Sequence, residues 1–106
     1  MLPREHRLRS SAEIREVVGR GKRYSNEAAT IHFLPADTNR FAIVVSKSVG
    51  QAVVRNLVKR RVRAILRSEI GTQPAMSAVL RMRPTSAQMK FAALSSAILD
   101  LVGKAR

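Results

Sequence analysis

The chain has no cysteine and no tryptophan, aromatics make up only 4% of its 106 residues, and seven acids stand against 20 Lys plus Arg. Each shortage removes a class of function. Without cysteine there is no disulfide framework, no thiolate zinc site and no cysteine nucleophile, and the redox compartment is left open. Scarce aromatics argue against a broad platform for stacking bases. The longest strongly apolar run, Phe41 to Val45, is far too short to span a bilayer. The opening Met1 to Arg7 lacks a secretory apolar stretch, and Glu5, Glu13 and Glu16 are out of place in an organellar transit peptide. The chain therefore reads as soluble and cytoplasmic, with no membrane partner. Its length suits one domain, 1–106, and a hydrophobic fraction of 45% can fill a small core.

Side-chain catalysis finds little to work with. His6 and His32 are the only histidines, and the acids are scattered rather than paired. His32, on an expected strand, suits packing or the wall of a cleft better than general-base chemistry. No zinc ligand set exists, and Gly19-Arg20-Gly21 is too short to cradle a phosphate. No catalytic and no metal-binding residue is assigned. What the chain has in excess is positive charge, +13 in all, which repels itself in a compact fold and attracts polyanions.

Pattern supplies the elements. Ser10-Ser11-Ala12-Glu13 fits a capping box, in which a Ser oxygen and a Glu carboxylate both satisfy free N–H groups. Ile14, Val17 and Val18 follow at helical spacing, with Gly19 and Gly21 as the stop. Ala29–Leu34 and Phe41–Ser46, around the polar turn Pro35–Asn39, predict an antiparallel hairpin whose second strand is covered on both faces. A helix is expected over Val53–Ile70, a strand over Ala78–Arg83, and a last helix capped by Thr85 or Ser86. A short edge strand near Tyr24 is weakly signalled. This order gives a small sheet with helices packed on it.

The helix from Val53 carries the strongest signal. Advancing about 100° per residue, Arg55, Lys59 and Arg63 climb one face. Asn56, Arg60 and Arg67 widen that cationic arc. Val54, Val58, Val62, Ile65 and Leu66 occupy the other side, and Arg61 falls within the apolar arc, where it must snorkel. Solvated helices normally interleave Glu with Lys, yet the only nearby acid is Glu69. Like charges at this spacing cost about a few tenths of a kcal/mol per pair, which a polyanion would relieve. Arginine forks grip phosphate oxygens with paired hydrogen bonds, and an amide such as Asn56 adds a directional contact. Charge alone does not separate RNA from duplex DNA.

The run Lys47-Ser48-Val49-Gly50-Gln51-Ala52-Val53-Val54-Arg55-Asn56-Leu57-Val58-Lys59-Arg60-Arg61-Val62-Arg63 closely resembles the signature of the bacterial ribonuclease P protein component. Arg7-Leu8-Arg9 and Gly21 resemble that family's opening segment, and Arg83-Pro84 its later strand-to-helix junction. The resemblance implies an α/β (α+β) sandwich in the order αβββαβα, related to the second domain of a small-subunit ribosomal protein, with a left-handed βαβ crossover. It further implies a subunit that binds the catalytic RNA of ribonuclease P and the 5′ leader of precursor tRNA, with no other protein partner required. Magnesium would be held by the RNA, none by the protein. Carried onto this chain, the RNA-binding set is Ser46, Lys47, Arg55, Asn56, Lys59, Arg60 and Arg63, joined by Arg67 from the arc. The leader cleft would involve Arg9, Ile14, Arg15, Val18, Tyr24 and His32, relying on charge and shape where relatives carry stacking aromatics. Two alternatives remain open at this point: a ribosomal-type RNA-scaffold protein, and a DNA-binding regulator. The second is disfavoured because no preceding helix and turn frame the basic helix.

Overall fold

A computed structural model describes residues 2–106. Three helices, α1 (Ser11–Arg20), α2 (Ala52–Leu66) and α3 (Phe91–Ala105), pack on four strands, β1 (Lys22–Ser25), β2 (Ala29–Pro35), β3 (Arg40–Val44) and β4 (Met76–Met82). The sheet order is β1-β2-β4-β3, so the expected αβββαβα order is met in a mixed sheet.

The pairing differs from the hairpin expected of Ala29–Leu34 and Phe41–Ser46. β2 and β3 are not neighbours, because β4 lies between them, antiparallel to β2 and parallel to β3. The reason lies in burial. The middle of a sheet covered on both faces goes to the strand that is apolar on both, and Ala78, Val79 and Leu80 of β4 are fully buried. β3 takes an edge instead. Its faces are nonetheless both covered, by Phe41 in the main core and Ala42 under α1, and Leu8 N–H donates to Phe41 O at 2.8 Å along its outer side. The true hairpin is β1–β2, where Asn26 Oδ1 accepts from Ala28 N–H and Ala29 N–H while its Nδ2 donates to Ala97 O of α3.

Alternation along the strands divides the sheet into two faces. Ile31, Phe41, Ala78 and Leu80 join Val58, Val62 and Leu66 of α2 and Leu94, Ile98 and Leu101 of α3 in the main core. The opposite face is only partly covered, by α1, through Leu8, Val17, Ala42 and Val79 with Ile14, Val18 and Leu34 around them. That half-covered face leaves space for a ligand.

Helix boundaries moved in three places. Ser10 caps α1 through a long 3.5 Å bond from Glu13 N–H, but the Glu13 carboxylate completes no capping box. It turns to Arg40, 2.7 Å away. Gly19 lies inside α1 and only Gly21 ends it, where a Cβ would collide with Val17 O and sit 2.6 Å from Phe33 O. α2 stops at Leu66 rather than Ile70, the chain tightening into a 3-10 turn over Arg67–Glu69. Thr85 and Ser86 do not cap α3. They lie in a 3-10 turn over Pro84–Gln88, with Ser86 Oγ donating to Arg83 O, and α3 starts after Lys90 without a side-chain cap. Among the described residues no helix is long and apolar enough to cross a membrane.

Candidate nucleic-acid interface

α2 is set in place by one face. Val58, Val62, Ile65 and Leu66 are buried, which turns the opposite face outward. Its entry is a glycine position: Gly50 has φ +154°, and a Cβ there would meet the Val54 side chain at 3.0 Å. On the outer face Asn56, Lys59, Arg60 and Arg63 line one open hollow with Val53, which is 80% exposed. Arg55 is half-buried one turn earlier on the same column, and Arg61 is half-buried at the margin, as its angular position requires. Arg67 lies just past the helix, exposed in the 3-10 turn, and does not line the hollow.

No ion pair among the described residues involves a cation of α2. Glu69, the one nearby acid, is bonded to Arg106 instead, at 3.3 Å. The column is thus left with its charge unanswered by the protein.

A second hollow opens on the half-covered face, beyond α1, with a volume of about 320 Å³. Arg23 stands opposite His32 across the β1–β2 pair, and Arg81 stands opposite Thr30 across β2–β4, so all four side chains share one face. Arg83 and Ser46 complete its rim, and Ser46 Oγ lies 2.7 Å from Ser48 Oγ. Lys47 is exposed in the 3-10 turn Lys47–Val49 between this rim and α2. His32 forms the floor, 3% exposed. Burial first, then the Arg81 and Arg23 guanidiniums, holds its imidazole below the ordinary range, so it is neutral at pH 7.

A third hollow joins the other two. Arg9 and Ile14 line it from the α1 side, Val44 from β3 and Arg63 from α2. Val44 also lines the sheet hollow and Arg63 the α2 hollow, so one cationic track runs from α2 around the edge of β3 onto the sheet.

Of the six residues expected to form a cleft, Arg9, Ile14, Val18 and His32 fall along this track or under α1. Arg15 is exposed on α1 and lines none of these hollows. Tyr24 lies on the opposite face of the sheet from His32. It is opposite Ile31, not His32, and its ring stacks on Phe33 with centroids 5.7 Å apart. The strand near Tyr24 was too faint to assign a phase, and in a period of two a shift of one residue changes faces. Arg23, Arg81 and Arg83 line the sheet hollow and are not among the residues expected from sequence. The available signal was their alternation with Tyr24, Leu80 and Met82, usable only once the strand pairing is known.

A small α/β fold with cations free of acidic partners along one connected track defines a nucleic-acid-binding protein. The family model for Ribonuclease P matches residues 2–106. Ribonuclease P protein components from Acidothermus cellulolyticus and Clavibacter michiganensis are each 35% identical, covering 98% and 99% of this chain and 91% and 96% of their own. The structure of the ribonuclease P protein of Staphylococcus aureus superposes with a TM-score of 0.88 at 20% identity over 95% of both chains. That of Thermotoga maritima does so at 0.84 and 28% identity, over 94% of this chain and 97% of the other. The chain belongs to the ribonuclease P protein family. Its role is that of the protein subunit of a ribonucleoprotein endoribonuclease acting in tRNA 5′ processing, partnered with an RNA subunit. None of the relatives named here supports the scaffold or DNA-regulator alternatives.

Proposed function

We propose that α2 grips the catalytic RNA through Arg55, Asn56, Lys59, Arg60 and Arg63, with Lys47 beside them, while the sheet hollow holds the single-stranded 5′ leader of precursor tRNA. The observation that carries this reading is the column of α2 cations without a single acidic partner, held outward by the burial of Val58, Val62, Ile65 and Leu66 on the opposite face. The leader part is supported by the second cationic hollow and by Arg63 and Val44, which connect it to the first. A leader laid across Ile14, Val18 and Val44 makes apolar contact, and Arg9, Arg23 and Arg81 take its phosphates. The protein's part in catalysis is then to bind and orient the substrate. The cationic hollows do not fit a divalent metal, so magnesium, which supplies water activation, belongs with the RNA. Such an assembly works where precursor tRNA is made, the cytoplasm.

Replacing Arg55, Lys59 and Arg63 together with Gln tests the first half. Affinity for the RNA subunit should fall and its dependence on salt should flatten, because about three fewer counterions are released on binding. An unchanged salt slope places the contact elsewhere. For the second half, Val18→Ala should weaken binding of leader-bearing precursor while leaving mature tRNA binding unchanged. Equal losses on both would remove α1 from the leader path.

A further inference from the structure

The floor of the sheet hollow holds the only buried side-chain nitrogens in the described chain with no hydrogen-bond partner in the protein, Nδ1 and Nε2 of His32. Every charged group that faces the ring is a cation. β1 presents Arg23 directly opposite, β4 presents Arg81 one diagonal away, and Arg83 follows past the strand end. β3 and the segment after it offer Val44, Ser46 and Ser48, with Lys47 between the two serines. α1 turns Val17 and Val18 to the sheet, while its carboxylates Glu13 and Glu16 open on a separate hollow beside Leu34 and Ser77.

A leader strand reverses this balance. It is a polyanion rich in acceptors, and phosphates seated between Arg23 and Arg81 cancel the guanidinium field that, second to burial, keeps the imidazole neutral, and add a counter-charge that offsets the burial. The imidazolium form then offers two N–H donors to a ligand that has mainly oxygens to give, and the phosphates serve as its counter-ions. We infer that His32 binds the leader as imidazolium, so that occupation of the sheet hollow takes up one proton from solvent. This rests on the leader reading given above.

The direct measurement is the titration of the His32 ring by NMR in the full chain, alone and with a short oligouridylate, whose bases bind no proton between pH 5 and 8. His32→Gln assigns the signal against that of His6. The proton affinity of His32 should rise about tenfold when the oligonucleotide is bound. An unchanged or lowered affinity in the bound state overturns the inference. In the holoenzyme, the preference for leader-bearing over leaderless tRNA should grow about three- to tenfold from pH 8 to pH 6 and lose that growth in His32→Gln. A preference that is present but flat with pH in the wild type overturns the proton linkage alone. Equal binding of both RNAs at every pH overturns the leader reading, and this inference with it.

Discussion

Gly19 and Gly21 sit two residues apart and require opposite treatment. A Cβ on Gly19 meets nothing within 4 Å, and the residue is inside a helix, so Gly19→Ala should raise stability by about 0.5–1 kcal/mol. Gly21→Ala drives a Cβ into two backbone carbonyls and should cost about 2 kcal/mol or more. Both are read from chemical denaturation. The two glycines look alike in sequence, since what separates them is the end of α1 at Gly21 and the approach there of Val17 O and of Phe33 from β2. Asn39 was equally invisible. Its buried side chain donates to Ile70 O and Thr72 O and accepts from Met76 N–H and an Arg106 N–H, tying the β2–β3 turn to the segment between α2 and β4, the start of β4 and the C-terminus. Asn39→Ala orphans these groups and should cost about 2–4 kcal/mol in the same assay. His32 adds a pH term. Its folded-state pKa lies below the ordinary 6.5, so as pH falls below that value the unfolded chain takes the proton first. Stability should drop from pH 6.5 downward in the wild type, and less steeply in His32→Gln.

At the level of elements, periodicity located α1, α2, β2, β3, β4 and α3, and the two-sided character of α2 was legible residue by residue. Partnership was not. Two apolar runs around Pro35–Asn39 satisfy every local rule for a hairpin, and only competition with β4 for the central place decides otherwise. The cationic arc was legible because it is contained in one helix. The sheet hollow was not, because Arg23, His32 and Arg81 come from three strands whose register no local pattern reports. α2 itself predicts a conflict between stability and binding. Ala64 is exposed, one turn from Arg60 and three residues from both Arg61 and Arg67. Ala64→Glu should strengthen the free protein by a few tenths of a kcal/mol, about 0.3, through new helical ion pairs. The same change should weaken binding to the RNA subunit at matched salt. Thermal melts and titrations of one variant give both signs.

For the whole molecule, a charge of +13 on a chain of 106 residues means that the free protein folds against its own field. Polyanions that bind only the folded form should raise its melting temperature, and RNA at about a hundred times its dissociation constant adds about 2.7 kcal/mol. Sodium chloride at equal ionic strength should add less, because it screens without occupying the track. The central place of β4 has a separate consequence, for synthesis. β4 is the last strand in the chain, yet it is the one to which both β2 and β3 bond. A nascent chain that has emerged only as far as α2 carries a lone β1–β2 hairpin and a β3 with nothing to zip onto, and the platform snaps shut only when residues 76–82 leave the ribosome. Premature termination before that point should yield no half-built subunit, only protease-sensitive chain that competes for no RNA.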